Sequence, residues 1–322
     1  MKLTTLQASW LWIGVAAFAS AAAGDGPPKK FAETVTDSKA KTKASFEMIL
    51  IPGGKFTMGT PDREPGRKPG EGPAHVVEIK PFYLAATEVA RDLFGIYLQE
   101  LGVRTLCVEG PPFPEDRDGI SKFYVWYGDR TMGWDEKGLP AFAMSWRNAA
   151  NFCKWLSKKA GKTYRLPTEV EWEYACRTGT KTAYSFGNDP ANLGEYAWFT
   201  DNSGEDLEAR PRPVAQKKPN AWGLYDMHGN VKEWVADFYA RDAYAADAKA
   251  GPVANPTGPK QRMVHVARGG SYADYPEDLR SGAREFQEDW WQFEDPQDPK
   301  SIWWLPKRAF IGFRVACSTD GP

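Results

Sequence analysis

The residues best placed for chemistry lie in one stretch, "ARGGSYADYPEDLRSGAR", which runs from Ala267 to Arg284. Two glycines and Ser271 sit between Arg268 and Arg284, with an acidic segment following the serine. Guanidinium groups pair with carboxylates and phosphates through a planar fork of donors. A pocket would therefore use Ser271 as a polar contact and Arg268 and Arg284 as clamps. A structural role is the preferred alternative. In it, Gly269 and Gly270 permit close packing and Arg284 pairs with a carboxylate such as Asp278. A hydroxyl nucleophile needs a base held in place by a third group. The sequence offers Ser271 no evident histidine and acid partner, so a hydrolase triad is not expected.

Other reactive side chains are sparse. The three histidines, His75, His228 and His265, are scattered, which argues against a three-histidine metal site. The four cysteines, Cys107, Cys153, Cys176 and Cys317, form no CxxC pair of the kind used in redox or zinc sites. With 41 basic and 42 acidic side chains, the chain has no uniform field to attract nucleic acid or anionic lipid. Nucleic acid is not an expected partner.

At the N-terminus, Lys2 precedes "WLWIGVAAFASAAA", which is too short for the roughly 20 residues of a membrane span. Its small residues offer cleavage after Ala21 or Ala23. Residues 1–23 are read as a signal peptide, and the protein as secreted or periplasmic, with no membrane association beyond that segment. Export permits disulfides. One structural disulfide plus buried thiols is expected, with Cys153–Cys317 the preferred pair, although spacing alone leaves the connectivity open.

These residues need a scaffold, and the composition sets its character. The 30 Gly, 25 Pro and 14 Trp favour a loop-rich α+β fold with sparse secondary structure. Residues 24–44, rich in Lys, Ala and Thr, read as a linker, and a single domain is expected over 45–318. "FEMILIPGGKFTMGT" reads as strand, turn and strand, and "HVVEIKPFYLAATEVA" as extended chain. A helix is expected to begin near Thr87, with Leu93, Ile96, Tyr97 and Glu100 at helical spacing. Another is expected after the N-cap Ser145, with Ala149, Phe152, Cys153 and Leu156 inside and Gly161 as its stop. A third follows Thr168, with Glu171 in the capping-box position. Residues 104–139 read as a long loop.

Six segments taken in order carry a resemblance: "MILIPGGKFTMGT", "MSWRNAANFCKWL", "YRLPTEVEWEYACRTG", "NAWGLYDMHGNVKEW", "RGGSY" and "FIGFRVAC". Together they resemble the formylglycine-generating enzyme, or sulfatase-modifying factor, family. The resemblance implies one domain, distantly C-type-lectin-like, with calcium ions holding its loops. It also implies oxidation of a sulfatase cysteine to formylglycine with copper held by two thiolates. Two features depart from the pattern. After Gly-Gly-Ser, where the family carries its cysteine pair, this chain reads "YADYPEDLRS", and Ala273, Asp274, Tyr275 and Glu277 offer copper(I) none of the soft ligands it needs. Lys232 stands where family members usually carry tryptophan. No copper is expected.

Calcium takes six to eight hard oxygens, and the resemblance implies two loops that supply them. The first would use Asn192 and Asp206 side chains with carbonyls of Leu193 and Glu208. The second would use Asp226 and Glu233 side chains with carbonyls of Gly229 and Val231, leaving His228 as a structural hydrogen-bonder. The insertion "EFQEDWWQFEDPQDPKSIWWLPKRAF" brings in Trp290, Trp291, Trp303 and Trp304. These rings would serve as substitute core or, for Trp303 and Trp304, as a groove for a peptide or carbohydrate ligand. The expected role is a calcium-stabilised binding or accessory module, with an oxidoreductase of altered metal site or substrate as the alternative.

Overall fold

Alternating apolar positions in two strands start the fold. In the computed structural model, which describes residues 27–101, 108–109, 122–123, 137–205, 208–260, 264–292 and 310–319, β1 (Lys30–Thr36) pairs antiparallel with β2 (Lys43–Ile51). The segment read as linker therefore contains a strand. Its apolar signal is only two residues long: Val35 is buried, and the Phe31 ring meets Tyr83 edge-on at 4.9 Å. The expected signal peptide lies outside the described residues.

Gly53 and Gly54 turn the chain into β3 (Gly54–Met58), which pairs with β4 (His75–Ile79), and β5 (Phe82–Ala85) returns alongside β2. The helix expected near Thr87 begins four residues later, as α1 (Arg91–Glu100). Val89 and Arg91 donate their backbone N–H groups to Phe313 and Leu139, so the preceding residues are held extended. The short strands β6 (Val108–Glu109) and β7 (Lys122–Phe123) pair with each other. The rest of the expected 104–139 loop up to residue 136 lies outside the described residues.

α2 (Trp146–Ala160) starts and stops where its sequence signals stand. Ser145 accepts the Asn148 N–H, and Gly161 closes the last turn in the left-handed region. Ala149, Phe152, Cys153 and Leu156 face the main core. β8 (Tyr164–Arg165) leads to α3 (Glu169–Arg177), whose Thr168–Glu171 capping box is complete. β9 (Lys232–Phe238), α4 (Ala243–Ala250), β10 (Val253–Ala254), β11 (His265–Arg268), β12 (Glu285–Phe286), β13 (Ile311–Gly312) and β14 (Ala316–Ser318) complete the chain.

The strands form a five-stranded sheet in the order β1-β2-β5-β14-β8, a three-stranded sheet β10-β4-β3 and a four-stranded sheet β12-β11-β9-β13. The result is α+β with little regular structure, as expected. Rings of Phe94, Tyr97, Phe152, Trp155 and Phe313, packed mostly tilted or edge-on, replace the large sheet faces that a richer fold would bury. Trp291 joins this core 5.4 Å from Trp234. Trp303 and Trp304 lie outside the described residues. Cys153 and Cys317, the preferred disulfide pair, are free thiols, as is Cys176. Among the described residues no helix is long and apolar enough to cross a membrane.

Candidate functional site

Strand β11 ends in two glycines whose left-handed backbone turns the chain sharply, with φ of +95° at Gly269 and +68° at Gly270. A Cβ at Gly270 would lie 2.7 Å from the Leu279 side chain, so only glycine fits there. The turn delivers Ser271 inward. Its hydroxyl donates to Asp274 Oδ2 at 2.6 Å and its N–H to the same oxygen at 2.8 Å. Ser271 is thus committed to shaping its own loop.

Sheet register does the rest. Ala267 pairs with Glu285 and Arg268 with Glu233, so the first residues of β12 and β9 reach the same end of the sheet. There Lys232 Nζ lies 2.9 Å from Glu285 Oε1 and also contacts Asp274. The Lys232 side chain is only 5% exposed. Burial opposes its charge, but the Glu285 and Asp274 carboxylates outweigh that and hold its pKa above the ordinary lysine value. Burial, with Asp274 close by, pushes Glu285 above the usual carboxylate range despite Lys232. Asp278 completes a cluster in which carboxylate oxygens of Asp274, Asp278 and Glu285 lie within 4.8 Å of one another. Lys68 pairs with Asp278 from the loop between β3 and β4. Arg280 anchors that loop through Glu64 at 2.8 Å, Glu71 at 2.9 Å and the Gly66 carbonyl at 2.7 Å. Three carboxylates therefore meet two ammonium groups.

The flanking arginines are paired within the protein. Arg284 grips Glu169 through two bonds of 2.6 and 2.8 Å and donates to the Gly70 carbonyl. Its partner is Glu169 and not Asp278. Arg268, 1% exposed, pairs with Glu173 and donates to the carbonyls of Ser281 and Ala283. Neither points a free guanidinium at a ligand.

The second loop follows at Asp226, which adopts φ +56°. A Cβ at Gly229 would lie 2.2 Å from the Trp198 carbonyl oxygen, so glycine is required for this close approach. Asp226 Oδ2 accepts the Ala215 N–H at 2.7 Å, whereas Oδ1 is buried without a hydrogen-bond partner. Burial raises Asp226 to about 6. Glu88 beside it is pushed well above the carboxylate range by burial, then by Asp226 and Glu233. Glu233 is not available in the same way. Both of its oxygens accept from Arg314, at 2.6 and 2.7 Å, and Oε2 also from Trp172 Nε1 at 2.9 Å. Glu88 is the other carboxylate at this turn, accepting from the Val231 N–H at 3.4 Å and from Asn230 Nδ2 at 3.5 Å. Its one signal is an acidic residue in the otherwise apolar run before α1. The orphaned oxygen and its carboxylate neighbour fit a hard cation.

His228 is a structural hydrogen-bonder. Nδ1 lies 2.7 Å from the Leu279 carbonyl, Nε2 accepts from the Ser185 N–H at 3.1 Å, and burial lowers its pKa to about 4. The first loop is less convergent. Asn192 and Glu208 are exposed, Leu193 is buried, and Asp206 lies outside the described residues.

With this geometry in hand, similarity to known proteins decides the family. A family model described as "Sulfatase-modifying factor enzyme 1-like domain" matches residues 33–294. The chain belongs to this family. Its match begins inside β1, in keeping with that strand being part of the domain. Within the sulfatase-modifying factor family, the chain is 30% identical to a formylglycine-generating enzyme of Thermomonospora curvata, over 70% of this chain and 82% of that protein. It is also 31% identical to a mouse protein named inactive C-alpha-formylglycine-generating enzyme 2, over 60% and 69%. Among solved structures, PvdO from Pseudomonas aeruginosa is similar with a TM-score of 0.64 and 30% identity, covering 92% of this chain and all of that one.

Proposed function

We propose that this chain is a binding or accessory member of the sulfatase-modifying factor family, supported by calcium at its second loop and without copper-dependent oxidation of cysteine to formylglycine. The observation that carries this reading is the Lys232–Asp274–Glu285 network at the end of β9 and β12. Its donors are hard oxygens and an ammonium, whereas copper(I) is held by soft thiolates. Cys153, Cys176 and Cys317 are buried in the cores, where burial raises their thiol pKa values. A relative named as inactive supplies a precedent for such a change of role.

Calcium would be held by Asp226 and Glu88, with carbonyl oxygens of the 226–231 turn as further donors. Bound there, it would neutralise two buried carboxylates and fix the turn that sets the start of β9. The ligand of the module is read as a peptide or a carbohydrate, met by an exported protein.

The test is direct. The purified chain, reduced and loaded with copper, is incubated with a peptide carrying a sulfatase-type cysteine motif. Unchanged peptide mass is the expected result, and conversion to the aldehyde would overturn the reading. For the calcium part, a chelator should lower the melting temperature and calcium should restore it.

One observation favours a second reading, an oxidoreductase with an oxygen-ligated metal. Asp274, Asp278 and Glu285 converge as hard donors do around manganese or iron(II). Lys232 and Lys68 already neutralise them, so a metal must displace an ammonium, and the first reading stands ahead. Stoichiometric binding of manganese or iron(II), lost in Asp274→Asn, would reverse that order.

A further inference from the structure

The family resemblance implies calcium in both loops, yet the two differ in what already holds their oxygens. In the first loop the Leu193 carbonyl accepts from the N–H groups of Tyr196 and Ala197, each at 2.9 Å. A carbonyl has two lone pairs, and both are taken. Lys217 Nζ donates to the Gly194 carbonyl at 2.6 Å. Arg212 Nη2 donates to the Ser203 carbonyl at 2.6 Å, and Asn202 Nδ2 to that of Ala197 at 2.9 Å. Both cations also lie against one ring: Lys217 Nζ is 3.9 Å, and the Arg212 guanidinium carbon 5.6 Å, from the centre of Trp198. A cation over an indole face is attracted by the ring's electrons. The loop already holds two positive charges in partly buried surroundings, and a dication brought beside them would be repelled.

We propose that Lys217, with Arg212, is the resident cation of the 190–205 loop and holds it in place of calcium. The consequence reaches the second loop. Trp198 accepts the Asn230 N–H at 2.8 Å through its carbonyl, so the ring that Lys217 covers belongs to a residue buttressing the Asp226–Glu233 turn. This chain accordingly takes calcium, on the reading above, at the second loop alone.

The experiment counts calcium per chain in the full-length protein by native mass spectrometry and follows melting in three variants. Lys217→Met should melt several degrees below wild type both with and without calcium, with a calcium-dependent rise no larger than that of wild type, whereas Lys217→Arg should keep most of the wild-type stability. Asp226→Gly, which removes the side-chain oxygens at a position whose φ of +56° suits glycine, should lose the calcium-dependent rise in melting temperature. Two calcium ions per wild-type chain would overturn the proposal. So would a calcium-dependent rise that persists in Asp226→Gly, or a Lys217→Met protein that melts like wild type. A count of zero leaves the first loop as proposed and refutes the calcium reading of the second loop instead.

Discussion

Arg314 and Glu233 form a bidentate pair, 2.6 Å from Nη2 to Oε1 and 2.7 Å from Nε to Oε2, with both side chains fully excluded from solvent. The pair joins the segment after β13 to the second residue of β9. Arg314 also donates to the carbonyls of Ala85 and Tyr225. It therefore ties the five-stranded sheet to the turn that follows Tyr225.

Removing one member of such a pair strands a charge without water. Arg314→Met should cost roughly 3–5 kcal/mol of stability, because Glu233 keeps its desolvation cost and loses its main partner. Glu233→Met should cost less than the sum suggests when added to Arg314→Met, since the stranded charge is then gone. Urea unfolding of the two single variants and the double variant measures both effects. A strictly additive cycle would show that the two side chains act separately.

Lys232 makes a second testable pair of contacts, to Asp274 and Glu285. Lys232→Met leaves two neighbouring carboxylates without their cation, and the loss at pH 8 should again be roughly 3–5 kcal/mol. In the variant the Glu285 carboxyl, which burial already raises, loses the cation that opposes that rise. A raised acid contributes stability at low pH and loses it as pH climbs through its folded pKa. The gap between variant and wild type should therefore narrow from pH 8 to pH 5, read from urea midpoints. A gap that stays constant would mean that Lys232 acts through something other than these carboxylates, such as its ammonium over the Phe310 ring at 5.6 Å.

The sequence announced those parts of the fold that depend on local rules. Ser145, Gly161 and the Thr168–Glu171 box mark helix ends because capping is a contact within one turn of chain. The missing cysteine pair after Ser271 was legible for the same reason, being a matter of residue type. Partnerships across the chain were not. Arg284 pairs with a residue 115 positions away, and nothing in the stretch around it distinguishes Glu169 from Asp278 as the partner. Glu88 and Lys68 join their clusters through loop closures of similar reach, the latter to Asp278 across 210 positions. β1 carries a weak sequence signal because a strand at the sheet edge needs only one apolar face, here Phe31 and Val35.

Asp237 supplies the pH prediction. It is 4% exposed, and its Oδ2 accepts the Glu169 N–H at 2.8 Å, at the first residue of α3. Burial, then the Glu169 carboxylate, lifts its pKa from 3.8 to about 8, with Glu171 adding to the rise and Arg284 opposing it. Between those values the unfolded chain has lost the proton that the folded chain keeps. Stability from this group is therefore complete below the unfolded value and drains away as pH rises towards 8, by at most about 1.4 kcal/mol per pH unit. Asp237→Asn keeps an oxygen for the Glu169 N–H and removes the ionisation. The variant should gain on wild type steadily from pH 5 to pH 8, measured as the difference in urea midpoints, and then level off. A difference that does not change with pH would show that Asp237 ionises in the folded protein near its ordinary value, and the acidic pair with Glu169 would need another source of compensation.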